Sequence, residues 1–218
     1  MLRYRARVTG LDAKLPAGSY AAACWLGLQD TIPRAAVVGL HARVEATTPD
    51  AWEDPSVVQV WFRGADYVVP RADVGVFTVG ASPRDPDRMR DLERVADEVH
   101  RVADGETLLV RDVERRLSNR RPFIVRSTAM TGRVHIRWNA SNIWLIPVDR
   151  PPIEPEAARR ELALRFVHGF APASVDGLAR WTGWWGSRWL GWTRSPPGSC
   201  SSPISTPSAR PSRCPGSA

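Results

Sequence analysis

Apolar positions recur along the chain in two periods, and the order in which the periods alternate predicts a fold. Ala36, Val37, Leu40 and Val44 repeat at three- and four-residue spacing after Gln29-Asp30-Thr31-Ile32-Pro33. That predicts a helix whose first turn is capped by Asp30 or Thr31 and entered through Pro33. Three β-like runs are expected next, at Val57–Phe62, Tyr67–Val69 and Val74–Val79. After Ser82-Pro83-Arg84-Asp85-Pro86, a helix start, the stripe Met89, Leu92, Val95, Ala96, Val99, Val102 predicts a long helix ended by Asp104-Gly105. Leu109, Val113 and Leu117 mark a second helix, Ser118-Asn119 a turn, and Pro122 to Met130 a third helix stopped by Gly132. Arg133 to Trp138 alternates as a half-buried strand, and Ile143 to Val148 is its return.

Helix, helix, helix and hairpin is the order of a winged helix, here over residues 85–149. Residues 1–81 read as an N-terminal winged-helix-like domain. A helix from Pro155 to Gly169 and another capped by Ser174 read as a partial third winged helix over 152–183. The fold expected is mainly α with β-hairpin wings (α+β): tandem winged-helix domains, the last truncated. That truncation would leave Leu162, Phe166, Leu178 and Trp181 partly unpaired, a predicted aggregation surface.

Composition changes the picture at the C-terminal end. From Ser195 to Ala218 there are eight serines and six prolines, with Ile204 the one branched aliphatic residue. Such a segment buries too little to offset its ordering entropy, so 184–218 is expected to be a disordered tail. Half of the ten tryptophans crowd into Trp181, Trp184, Trp185, Trp189 and Trp192, and no acid follows Asp176. A GC-rich reading frame that slips near Gly183 would yield this composition. The same bias explains why Lys14 is the one lysine among 30 basic residues.

Net charge is +7, yet five arginines follow Asp176, so the first 176 residues carry about +2. Cys24, Cys200 and Cys214 form no disulfide framework. His41, His100, His135 and His168 are too dispersed for a local metal motif. No apolar run reaches membrane-spanning length, and Met1-Leu2-Arg3-Tyr4-Arg5 leads into no signal-peptide core. No Gly-rich phosphate loop or placeable nucleophile triad is found. The expectation is a cytoplasmic, nucleoid-associated monomer without metal, cofactor or membrane.

Between Arg115 and Val148 lie seven arginines and no acid: Arg115, Arg116, Arg120, Arg121, Arg126, Arg133 and Arg137. They fall on the expected recognition helix and wing, where guanidinium forks meet phosphates and base edges. His135 shares that strand. Together these eight residues are the expected double-stranded DNA-binding set. The plainer alternative is a solvated charged surface.

Three strings go further. Leu26-Gly27-Leu28-Gln29-Asp30-Thr31-Ile32-Pro33-Arg34-Ala35-Ala36 with Leu40-His41-Ala42-Arg43-Val44 resembles the opening signature of a bacterial winged-helix DNA-binding family. That family includes the AlkZ-like and YcaQ-like DNA glycosylases. Val60-Trp61-Phe62-Arg63-Gly64-Ala65-Asp66-Tyr67-Val68-Val69-Pro70 is similar to its next block. Leu162 to Ser174, with Ala179-Arg180-Trp181-Thr182-Gly183, is similar to the start of its third winged helix. The resemblance spans roughly residues 15–183. It implies tandem winged helices around duplex DNA. It also implies a Gln-x-Gln or Gln-x-Asp pair that orients water as a damaged base departs. Gln29 matches the first member; the second position is Thr31, while the carboxylate, Asp30, is the immediate neighbour. Tyr67 stands where related sequences often carry a histidine. The expected function is DNA binding without catalysis. The alternatives are excision of alkylated bases by Gln29 and Asp30, or a protein-interaction scaffold.

Overall fold

The computed structural model describes residues 2–32, 34–117 and 123–183. At its centre is the hairpin of β2 (Val57–Phe62) and β3 (Ala65–Pro70). Register pairs such as Val60 with Tyr67 and Phe62 with Ala65 leave a two-residue turn, Arg63-Gly64. Both turn residues have positive φ, 57° and 78°, which matches the right-handed twist of the strands it joins. The edge strand β1 (Leu28–Gln29) pairs antiparallel with β3, giving the order β1-β3-β2.

Both faces of this sheet are covered, so β2 reads as almost continuously apolar. Val60, Phe62, Tyr67 and Val69 face one cluster with Val76, Phe77, Leu162, Phe166 and Trp181. Val57 and Val68 face a second with Tyr20, Cys24, Leu40, Val44 and Trp52, built on α2 (Tyr20–Ala23) and α3 (Ala35–His41). Trp61 enters a third with Val99, Val113, Val125, Ile136 and Leu145.

That third cluster is the core of the segment expected as three helices and a hairpin. It contains α5 (Pro86–Ala103), α6 (Val110–Leu117), α7 (Ile124–Ser127), β5 (Val134–Trp138) and β6 (Ile143–Pro147). Asp85 caps α5 by accepting from the Asp87 N–H, and Pro86 occupies the first turn. A short β4 (Leu108–Leu109) before α6 adds to the hairpin in the order β4-β6-β5.

Several elements differ from expectation. Val74–Thr78 is a helix, α4, where a strand is predicted. Its Gly75, Val76, Phe77 and Thr78 are all buried, and a short run that is apolar on every side carries no period to tell helix from strand. The third helix is a single α turn that tightens to 3-10 geometry over Thr128–Thr131. The basic N-terminus forms α1 (Leu2–Val8), tied by Arg5 to the carbonyls of Phe170 and Ala171.

The expectation of an unpartnered third unit is corrected. Helices α8 (Pro155–Phe170) and α9 (Val175–Thr182) close over the β2–β3 hairpin. Leu162, Phe166 and Trp181 are 0%, 6% and 9% exposed, and Leu178 packs on the same cluster. The outer positions Leu164, Val167 and Val175 stay exposed. Ser118, Asn119, Arg120, Arg121, Pro122 and the tail 184–218 lie outside the described residues.

Candidate functional site

Alternation along the N-terminal sheet decides which polar residues meet. Gln29 is paired in register with Tyr67, so its side chain leaves the sheet on the same face. Tyr67 is 5% exposed, with its ring set edge-on to Phe62 at 5.1 Å. Its hydroxyl lies 3.4 Å from Gln29 Oε1 and accepts from Arg63 Nη1 at 3.2 Å. Gln29 Nε2 donates to Thr31 Oγ1. Gln29, Thr31 and Arg63 are exposed, so this face opens to solvent at the β1 edge. Gly27 permits the approach. Its φ is 77°, and a Cβ there would sit 3.3 Å from both the Tyr67 and Phe77 rings.

Asp30, the intervening residue, projects to the opposite face and is fully buried. Oδ1 accepts from the Ala36 N–H at 3.0 Å, so the side chain satisfies a first-turn donor of α3 from four residues before the N-cap position, Arg34. Oδ2 accepts from Gln59 Nε2 at 2.9 Å and Arg34 Nη1 at 3.3 Å. Gln59 Oε1 in turn accepts the Trp138 N–H of β5 at 2.7 Å, and Arg34 Nη1 reaches the Trp138 carbonyl at 3.3 Å. Burial raises the Asp30 carboxyl above its ordinary value despite these donors. Asp30 is thus the knot of a seam that fastens the β5–β6 hairpin to the N-terminal sheet. It does not share a surface with Gln29.

The seam contains a second carboxyl. Asp66 lies on the Asp30 side of β3 and is 5% exposed, and burial pushes it up to about 6 against the pull of Arg126. Among the described residues its Oδ1 has no hydrogen-bond partner, and neither do Trp61 Nε1 or Arg126 Nε. Arg126 rests on aromatic faces instead, 5.6 Å from the Trp61 centroid and 5.3 Å from that of Phe123.

Among the described residues, the expected DNA-binding set does not stand as one free cationic surface. Arg133 pairs with Glu93 at 3.2 Å and Asp97 at 2.5 Å. Arg137 pairs with Glu53 at 2.8 Å, and Arg115 with Asp112 at 3.2 Å. Arg116 is exposed and pairs with no carboxylate among the described residues, whereas Arg120 and Arg121 lie outside them. His135 is held down to about 4 by burial and the nearby Arg71 charge, so it carries no proton near neutrality. Burial pushes the Cys24 thiol up to about 12, which leaves it no thiolate to act as a nucleophile. Among the described residues there is no group of three His, Cys, Asp or Glu able to hold a metal ion. No described helix is long and apolar enough to cross a membrane.

The family model described as DNA glycosylase AlkZ-like matches residues 22–193, more than three quarters of the chain. The chain belongs to the AlkZ-like DNA glycosylase family. The match runs past Gly183, so the tryptophan cluster through Trp192 falls inside it. No curated protein matches. Among solved structures, Streptomyces sahachiroi DNA glycosylase AlkZ is similar in fold, with a TM-score of 0.59 and 16% identity over 83% of this chain. The chain spans 62% of that structure's length.

In this AlkZ-like chain, sequence reading singles out Gln29 but gives no role to Arg63 and notes Tyr67 only as a departure. The signal was present in part. Two runs that alternate as strands, joined by Arg-Gly, fix which of their residues share a face. The pairing of β1 with β3, which brings Gln29 to Tyr67, comes from elements 38 residues apart and has no local signature.

Proposed function

We propose that the protein binds duplex DNA through tandem winged helices and excises a damaged base at Gln29 and Thr31. The order α5, α6, α7, β5, β6, with β4 completing a three-stranded sheet, supports a winged helix over 85–149. The observation that carries the excision reading is the exposed Gln29–Thr31 pair, joined by a hydrogen bond and backed by Tyr67.

The chemistry follows from what the pair lacks. Both side chains are neutral and Asp30 is committed to the seam, so no charged group of this pair can protonate a leaving base. A base alkylated on a ring nitrogen already carries positive charge. As water oxygen adds to C1′, the C1′–N bond breaks, its electron pair neutralises the departing base, and the water's proton passes to solvent. Gln29 Oε1 holds the water in place, and the two dipoles stabilise the cationic sugar. The target base leaves the stack to reach this exposed edge.

The test is single-turnover base release from an alkylated duplex, with gel shift on the same duplex. Gln29→Ala should slow release by about 100-fold while duplex binding persists. Base release equal to wild type in Gln29→Ala would overturn the assignment. A second reading, DNA binding without chemistry, is favoured by Thr31 standing where the family pair has Gln or Asp. Wild-type protein that binds duplex but releases no base would select it.

A further inference from the structure

Four polar groups stand in sequence along the open edge of the N-terminal sheet: the Arg63 guanidinium, the Tyr67 phenol, the Gln29 carboxamide and the Thr31 hydroxyl. A guanidinium only donates, so the phenol oxygen accepts from Arg63. Tyr67 is buried, and the acceptor within reach of its own proton is Gln29 Oε1. That turns the carboxamide nitrogen toward Thr31, whose oxygen accepts. The Thr31 hydrogen therefore points away from Gln29, toward solvent. We propose that Arg63 and Tyr67 are positioning residues of the base-excision site, locking the Gln29 carboxamide in one of its two orientations and making Thr31 an outward hydrogen-bond donor. This rests on the reading of Gln29 and Thr31 as the excising pair.

The consequence is a division of labour. Gln29 Oε1 keeps a lone pair for the attacking water, while the Thr31 hydroxyl addresses an acceptor atom on the departing base. Were the carboxamide to flip, Thr31 would donate inward and the water would face an N–H. Chained donors also polarise one another, so a cation at the far end strengthens the last donor. The backbone at Arg63 gives independent support. Its φ of 57° lies in the left-handed region, where a two-residue hairpin turn ordinarily takes Asn, Asp or Gly. A long cationic side chain held there delivers its guanidinium to the phenol.

The experiment uses single-turnover base release at saturating alkylated duplex, duplex affinity, and the side-chain amide resonances of Gln29 identified by their loss in Gln29→Ala. Tyr67→Phe should lower the rate about tenfold with affinity within about twofold of wild type. Arg63→Met should lower it less. The double variant should be no slower than Tyr67→Phe, because breaking the middle link already disconnects Arg63. Thr31→Ser should retain the rate and Thr31→Val should lose it. The Gln29 amide resonances should move in both Tyr67→Phe and Arg63→Met. Multiplying rate losses in the double variant, or amide resonances unmoved in either single variant, would overturn the proposal. The resonances need no turnover. Shifted resonances with no base release in wild type would therefore overturn the excision reading and the catalytic role built on it, while confirming the chain of four groups.

Discussion

Residues 115–148 and the strip from Leu28 to Tyr67 make opposite impressions in sequence and exchange them in three dimensions. The first has a dense run of arginines with no acid, yet Arg133 and Arg137 meet carboxylates contributed by Glu53, Glu93 and Asp97. Glu53 comes from 84 residues away. The second strip is chemically quiet, but a two-residue period sorts it into a buried carboxylate on one face and an exposed amide–hydroxyl pair on the other. Local charge therefore measures how much cation a segment carries. How much it offers a polyanion is set by partners elsewhere in the chain.

The harshest way to break the comparison is to remove the core beneath the second strip. Phe62 is fully buried and meets Tyr67, Phe77 and Trp181 with centroids 5.1, 5.5 and 5.6 Å away. Phe62→Ala should cost about 3–5 kcal/mol by urea unfolding. A loss below about 1 kcal/mol would mean that α8 and α9 do not close on this hairpin.

Gln59→Ala is aimed at the joint between the two regions. It deprives Asp30 Oδ2 of one donor and leaves the Trp138 N–H without its acceptor. The expected cost is about 2–3 kcal/mol, since buried polar groups lose partners without regaining water. Limited proteolysis should cut more readily near the β5–β6 hairpin in the variant. Equal protection would show that the seam does not hold the hairpin.

How far the fold was legible follows from the range of each signal. Asp85-Pro86 with the stripe Met89 to Val102 announces α5 within one stretch of sequence, and the alternation from Arg133 to Trp138 announces β5. Val74–Thr78 was not legible, because a short run buried on all sides has no period. The packing of Leu162, Phe166 and Trp181 on Phe62 joins residues about a hundred positions apart, and helical stripes do not name their partners. For the site, the spacing of Gln29 and Thr31 and the outlying position of Asp30 follow from strand alternation. The pairing of β1 with β3 supplies Tyr67, and no local pattern could.

Two groups shifted by burial titrate with opposite signs. The Asp66 carboxyl rises from 3.8 to about 6, so the native state binds its proton more tightly. Its stabilising effect is complete below 3.8 and is lost as pH rises through about 6, worth about 1–3 kcal/mol. His135 falls from 6.5 to about 4, so its effect is complete above 6.5 and is lost as pH drops through about 4. The two trends offset each other between pH 4 and 6. Asp66→Asn should uncover the acid-side loss and His135→Gln the neutral-side loss in Tm measured against pH. Parallel profiles in both variants would contradict the burial assigned to these groups.

The smallest effect in stability separates the arginines themselves. Exposed pairs such as Arg115 with Asp112 are each worth about 0.2–1 kcal/mol, so unfolding will scarcely distinguish the variants. Salt dependence of duplex binding will. An arginine that neutralises a phosphate releases counterions and contributes about 0.9 to the slope of log K against log salt. Arg116→Ala should reduce the slope by about that amount, because this exposed guanidinium has no carboxylate partner among the described residues to give up. Arg133 is divided between Glu93 and Asp97, and Arg133→Ala should leave the slope unchanged. A reduced slope in Arg133→Ala would show that DNA pulls this arginine out of its pairs, and the contrast between carried and offered charge would then fail at the residue where it is sharpest.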